Sequence, residues 1–83
     1  MSWFVYILQC SDNTLYTGIT NSLDKRISKH NNKKGAKYTR GRTPVILLFS
    51  IEVGSKSEAL KLEFKIKQLS REEKFKIIER KCL

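Results

Sequence analysis

The sequence predicts an α+β domain with the element order β-β-α-β-α-α. Three observations carry that prediction. The run WFVYILQC is apolar at odd and even positions alike, and two more β-rich runs, LYTGIT and VILLFSIEV, are bounded by turn or proline chemistry. Serines that can cap helices stand ahead of the helical stretches. The 83 residues leave room for one domain, 1–83, with one modest core.

Each element follows in order. WFVYILQC, hydrophobic on both faces, suits a central strand covered on both sides. Ser11-Asp12-Asn13 supplies a turn, so residues 3–20 read as a hairpin. Asn21 or Ser22 can cap a helix to about residue 31, with Asp24 favourably placed against its dipole. Residues 32–43, NNKKGAKYTRGRT from its second position, form a basic loop punctuated by glycine. Pro44 introduces the third strand, which Gly54-Ser55 ends. Ser55 or Ser57 then caps a helix to about Leu69, and Ser70 with Glu73 forms a capping box for a last helix through Lys81. No repeat, low-complexity segment or linker interrupts the chain.

Composition excludes several function classes. A hydrophobic content of 40% argues for a packed core. No run approaches the roughly eighteen apolar residues of a membrane span, and MSWFVYILQC reads as a strand rather than a signal peptide. Cys10, Cys82 and the single histidine lack zinc-site spacing and suggest no disulfide scaffold. Two reduced thiols in a cytoplasmic protein is the expectation. The formal charge is +9, and it is concentrated: from Lys25 to Arg42 the chain carries Lys25, Arg26, Lys29, Lys33, Lys34, Lys37, Arg40 and Arg42 without one acid. A field of that kind attracts a polyanion, most commonly nucleic acid, although a merely soluble basic surface would carry the same charge.

The helix after Ser55 holds an anomaly. At about 100° per residue, Ala59, Leu62, Ile66 and Leu69 cluster on one side, and Leu60 and Phe64 widen the apolar arc. Glu63 and Lys67 fall inside that arc. A partly desolvated carboxylate needs a cation, several donors or a metal, yet a Glu63–Lys67 pair at i,i+4 spacing would satisfy it without any function. On the first helix Leu23 and Ile27 define the buried stripe, flanked by Arg26 and His30. Either flank could be structural: a histidine beside a core, or an arginine whose stem covers apolar surface. Together, however, Tyr6, Tyr16, Arg26, His30 and Glu63 are the parts for metal-assisted attack on a phosphodiester. A carboxylate holds a hard cation, Arg offsets phosphate charge, and Tyr or His handles protons.

These residues resemble the signature of the GIY-YIG endonuclease superfamily, in its small stand-alone bacterial single-domain branch. Phe4-Val5-Tyr6 stands at the Gly-Ile-Tyr element and Tyr16-Thr17-Gly18 at the Tyr-Ile-Gly element. TNSLDKRI is similar to the family's helix start, with Leu23 and Arg26 in register, and GAKYTRGRTP and EALKLEFKIKQLSREEK look typical of the short branch. The asparagine often found about three turns beyond the glutamate is replaced by Lys74 or Phe75. The resemblance implies a three-stranded antiparallel sheet flanked by helices and one divalent ion, Mg²⁺ or Mn²⁺, on Glu63. It further implies that Tyr6, helped by His30, activates water, that Tyr16 orients water or phosphate, and that Arg26 stabilises the developing phosphorane charge. Lys67 would lend electrostatic support.

The expected function is therefore metal-dependent hydrolysis of phosphodiesters in DNA, with structured or branched DNA of repair or recombination as candidate substrates. A catalytically weak nucleic-acid-binding module is the alternative. Gly18, by admitting backbone or substrate closely, and Lys33, Lys34, Lys37, Tyr38, Arg40 and Arg42 would form the nucleic-acid contacts. Tyr38 could stack on an unpaired base or simply pack the loop onto the body. One geometric condition follows. Both tyrosine hydroxyls must reach one phosphate, so the hairpin needs a loop of odd length or a bulge to put Tyr6 and Tyr16 on one face.

Overall fold

A computed structural model describes residues 2–81. The strands are β1 (Trp3–Gln9), β2 (Leu15–Thr20) and β3 (Ile46–Val53), and the longer helices are α1 (Leu23–Asn31), α3 (Lys56–Lys67) and α4 (Arg71–Arg80). All strand pairs are antiparallel, in the order β2-β1-β3, so the apolar β1 is central as its composition requires. The loop after α1 differs from expectation in one respect. It contains a four-residue helical turn, α2 (Lys37–Arg40). Cys82 and its expected reduced state lie outside the described residues; Cys10 is a buried, free thiol.

The hairpin has the odd loop that the two tyrosines demand. Cys10 N–H donates to the Thr14 carbonyl at 2.8 Å, and Asn13 N–H donates to the Cys10 carbonyl at 3.0 Å. Asn13 takes φ 68°, the left-handed conformation that ends a three-residue hairpin loop. Asp12 stabilises the loop by accepting from the Thr14 N–H at 3.1 Å. The resulting register pairs Tyr6 with Gly18 and Leu8 with Tyr16, which puts both tyrosines on one sheet face.

Alternation along the strands divides the interior in two. Val5 and Ile7 face α3 and α4, packing with Phe49, Ala59 and Ile66. Tyr6, Leu8 and Cys10 face the other way, against Val45, Leu23 and Ile27. A bulge between Ile7 and Leu8 in the β1–β3 pairing shifts the register by one residue.

Ser55 caps α3 by accepting from Glu58 N–H at 3.2 Å, and the Ser70–Glu73 capping box is complete. Ser22 stands at the N-cap of α1 but its side chain caps nothing; Thr20 Oγ1 instead accepts from Ser22 N–H at 3.0 Å. The apolar arc of α3 is narrower than periodicity suggests. Leu60 and Phe64 are 47% and 64% exposed, because the sheet meets only the Ala59–Leu62–Ile66 side of the helix.

Candidate active site

The site grows from a missing side chain. A Cβ on Gly18 would lie 2.5 Å from Tyr6 Oη and 2.7 Å from Tyr6 Cζ, well inside contact distance. Gly18 therefore lets the Tyr6 ring lie across β2, with its hydroxyl over the neighbouring strand. The close approach that the glycine permits is by another side chain of the protein. The sequence alone points instead to backbone or substrate at this glycine.

His30 receives that hydroxyl. Its Nε2 is 3.0 Å from Tyr6 Oη, and its Nδ1 is 2.7 Å from Thr39 Oγ1. Thr39 Oγ1 in turn donates to the Ala36 carbonyl at 2.9 Å. With its one proton committed there, the Thr39 oxygen must accept from His30, so Nδ1 carries the hydrogen and Nε2 is an acceptor. The chain of bonds thus runs in one direction: Tyr6 O–H to His30, His30 N–H to Thr39, Thr39 O–H to Ala36. Histidine and threonine are both fully buried. Thr39 had no signal in the sequence, since it interrupts a run of lysines and arginines without periodicity.

The basic loop is folded to hold this histidine. The end of α1 closes with Lys34 N–H on the Lys29 carbonyl at 2.8 Å and Lys33 N–H on the His30 carbonyl at 3.1 Å, with Lys33 left-handed at φ 62°. That turn brings Gly35 against the imidazole so closely that a Cβ there would overlap Nδ1 and Cγ. Asn31 then fastens the far end, accepting from Val45 N–H at 2.7 Å. Tyr38 stacks on Tyr16 with ring centroids 5.8 Å apart, and the Arg42 guanidinium lies 4.2 Å from the Tyr38 centroid. Arg42 also bonds Asp12 Oδ2 at 2.8 Å and the Tyr38 carbonyl at 2.7 Å. Tyr38 and Arg42 thus pack the loop onto the hairpin. Lys33, Lys34, Lys37 and Arg40 are exposed.

Tyr16 completes an aromatic cluster, its ring edge-on to His30 at 5.4 Å and tilted against Tyr6 at 6.4 Å. Burial raises the Tyr6 phenol above its ordinary value; the neighbouring Arg26 side chain pulls it back, while charge on Tyr16 and Glu63 pushes it further up. Burial, with the Arg26 charge adding to it, drops the His30 imidazole to about 4. Near neutral pH the pair is accordingly a neutral phenol donating to a neutral imidazole. Arg26 is half-buried and its Nε is buried with no hydrogen-bond partner, so the guanidinium keeps donor capacity for an incoming anion.

Glu63 stands on α3, which packs against the Val5–Ile7 face of the sheet, with its side chain 18% exposed and Lys67 Nζ 3.4 Å from its Oε2. The i,i+4 pair expected as the bland alternative is therefore present. Among the described residues no group of three or more His, Cys, Asp or Glu side chains converges to hold a metal. One carboxylate does suit Mg²⁺ or Mn²⁺, which typically retains waters and takes phosphate oxygens as further ligands. At the usual asparagine position, Lys74 and Phe75 are half-buried on α4, with Arg71 4.9 Å from the Phe75 centroid.

Comparison with known proteins places the chain among relatives. A model of the GIY-YIG catalytic domain family matches residues 2–76. UPF0213 protein SH2523 of Staphylococcus haemolyticus is 51% identical over 76 residues, 92% of this chain and 93% of that protein. UPF0213 protein VNG_2274C of Halobacterium salinarum is 54% identical over 70 residues, 84% of this chain and 91% of its own length. Among solved structures, the solution structure of UPF0213 protein BH0048 from Bacillus halodurans has 47% identity and a TM-score of 0.64, covering 98% of this chain and 86% of that one. EF2693 from E. faecalis has 35% identity and a TM-score of 0.66, covering 96% and 85%.

Proposed function

The chain belongs to the GIY-YIG catalytic domain family, a nuclease-type family, and from that premise we propose that it is a divalent-metal-dependent endonuclease hydrolysing phosphodiester bonds in DNA. The observation that carries this reading is the directed bond chain from Tyr6 through His30 to Thr39. That polarity runs toward a phenol beside Arg26, whose buried Nε has no hydrogen-bond partner.

The chemistry follows from the donors and acceptors. Tyr6 Oη takes a proton from the attacking water while passing its own to His30 Nε2. The phenol thereby acts as a base without ever carrying a full charge, which its raised pKa disfavours. The imidazolium so formed keeps its Nδ1–H on Thr39. Arg26 donates to the phosphate oxygens as charge accumulates on the pentacoordinate phosphorus. Tyr16, edge-on to His30, positions water or phosphate. Glu63 would hold a divalent ion, Mg²⁺ or Mn²⁺, whose charge polarises the phosphate. Lys67 adds positive charge beside that carboxylate.

The loop's exposed lysines would meet phosphates rather than base edges, so in this reading the enzyme selects DNA by structure, such as branched DNA in repair or recombination, over sequence. The buried free thiol of Cys10 is consistent with a cytoplasmic enzyme. Among the described residues no helix is long and apolar enough to cross a membrane.

A nucleic-acid-binding module of little turnover is the second reading. It is favoured by Lys67, which sits on the carboxylate a metal would use. One assay separates the two: Mg²⁺- or Mn²⁺-dependent nicking of duplex, single-stranded, flap and branched DNA by wild type and Glu63→Ala at equal concentration. Cleavage by wild type alone supports the nuclease. Equal cleavage by both exposes a contaminant, and cleavage by neither favours the binding module.

A further inference from the structure

Beside the Tyr6 site, a cleft of about 310 Å³ opens between β1, the end of β2 and α1. Trp3 and Ile19 form its apolar side, Asn21 and Ser22 its rim, and Lys25, Arg26 and Lys29 its cationic wall. None of the lining residues is acidic. The ion pairs found among the described residues are Arg42–Asp12 and Lys67–Glu63, so the three cations of the cleft are uncommitted.

We propose that this cleft seats the nucleotide adjoining the scissile phosphate, taken from an unpaired DNA strand. The inference deepens the nuclease reading and rests on it. Arg26 belongs both to the cleft wall and to the surroundings of Tyr6 and His30, so a phosphate on Arg26 has its neighbouring nucleotide at the cleft mouth. Lys25 and Lys29, one helical turn apart, serve the adjoining phosphate. Trp3 offers a half-buried indole for base stacking, with Lys56 Nζ over its ring at 5.5 Å from the centroid, so a base stacks on the side away from Lys56. The volume lies at the small end of ligand sites, room for about one nucleotide and far too little for a duplex. A base must leave its own stack to reach an indole, so the cleft selects unpaired strands.

Ser22, Lys25, Arg26 and Lys29 line the cleft along α1 as far as its last turn, and Lys33 and the residues beyond continue from the helix's C-terminus. The strand therefore runs along α1 from the cleft toward the basic loop.

Trp3 is the chain's one tryptophan, so its intrinsic fluorescence reports from the cleft alone. The test titrates metal-free protein in EDTA with a short oligothymidylate and with a blunt hairpin duplex. Fluorescence and the anisotropy of end-labelled DNA are read together. The expected result is quenching of Trp3 by the single strand and weaker quenching by the duplex. Lys25→Ala/Lys29→Ala should bind the strand on the order of tenfold more weakly, with the salt slope flattened by about 1.4. Both lysines are exposed, so a melting curve matching wild type will certify the variant's fold. Strand binding with Trp3 fluorescence unchanged, or with undiminished affinity in the double variant, overturns the proposal. If wild type still cleaves DNA with metal, only the cleft assignment falls. If no DNA is bound and none is cleaved, the nuclease reading falls with it.

Discussion

Thr39 Oγ1 lies 2.7 Å from His30 Nδ1 and 2.9 Å from the Ala36 carbonyl, and those two distances decide which nitrogen of His30 faces Tyr6 as an acceptor. The threonine positions His30, which in the proposed mechanism takes the Tyr6 proton. Thr39→Val keeps the shape but removes both the acceptor for Nδ1–H and the lock on the tautomer. Single-turnover cleavage should fall roughly 10- to 100-fold, a part of what general acid–base catalysis supplies. Stability should fall by about 1–3 kcal/mol for the orphaned buried donor. Thr39→Ser should restore most of the rate. Nitrogen chemical shifts of the imidazole provide the independent readout: a Thr39→Val protein that keeps the Nδ1–H tautomer and the wild-type rate removes threonine from the mechanism.

Gly18 makes a second prediction. An alanine there would force its Cβ to within 2.5 Å of Tyr6 Oη, and the phenol would have to swing away from His30. Overpacking of this kind costs about 1–3 kcal/mol, but the loss of cleavage should exceed what the melting temperature alone implies. Gly41 is the control. Nothing lies within 4 Å of its Cβ position and its φ is −96°, so Gly41→Ala should change neither property for the worse. Wild-type turnover in Gly18→Ala would mean that Tyr6 does not act from this position.

How much of this was legible beforehand differs between fold and site. Strand β1 declared itself central because Val5, Tyr6, Ile7 and Leu8 are all apolar, and all four are buried. The capping box at Ser70 is a local pattern with a local cause, so it too could be read directly. The hairpin register followed from chemistry: two hydroxyls for one phosphate require an odd loop, and Asn13 supplies the left-handed residue that closes it. Thr39, Gly35 and Asn31 were illegible for a physical reason. Each acts on His30 or Val45 through a loop whose path no periodicity encodes, and the dense positive charge around them draws attention to phosphates instead. Tyr38 has the packing role that the sequence offers as the alternative to base stacking, and Arg42 joins it in holding the loop to the hairpin. Leu60 and Phe64 show the opposite limit: a hydrophobic arc can exceed the surface available to cover it.

The pH dependence of stability follows from the buried histidine. His30 titrates near 4 when folded, against an ordinary 6.5. The unfolded chain thus takes up its proton first, and its stability contribution is complete above about pH 6.5. It declines as pH falls toward 4, by about 3 kcal/mol in all. Asp12 and Glu73 are also lowered, Asp12 by its bonds to Thr14 and Arg42 and Glu73 by those to Ser70. Their contributions are lost only as pH falls through the ordinary carboxylate range and below. Urea unfolding at intervals between pH 7 and 4.5 isolates the histidine, and His30→Gln should flatten the profile across that window. A wild-type profile that is already flat would contradict a buried neutral imidazole.

Lys67 competes for the carboxylate that would hold the metal. Its side chain is 52% exposed and its Nζ lies 3.4 Å from Glu63 Oε2, so the pair is worth only about 0.3–0.5 kcal/mol. Lys67→Met should therefore lower the Mg²⁺ or Mn²⁺ concentration for half-maximal cleavage by about twofold, with little change at saturation. Glu63→Gln should lose at least about a hundredfold at any metal concentration. A large rate loss in Lys67→Met at saturating metal would instead make the lysine a contact to the phosphate.

The final prediction concerns the loop's exposed cations. Lys33, Lys34 and Lys37 reach solvent from a segment whose backbone is fixed by Gly35 against His30 and by Asn31 on Val45. Such charges bind phosphate chiefly by releasing counterions, so duplex affinity should fall with salt at a slope of about −0.9 per phosphate neutralised. Replacing all three lysines with Ala should flatten that slope by up to about 2.7. Lys33 already tolerates its left-handed φ without being glycine, so alanine there adds no new steric class of strain. Cleavage at saturating DNA should be nearly unchanged, because the hydrogen bonds of His30 run to Tyr6 and Thr39 and involve none of these side chains. An unchanged salt slope would make the loop a brace for His30 alone, with DNA held along other cations such as Lys61 and Lys65. A flattened slope accompanied by lost turnover would mean that the loop's charge also orders the histidine.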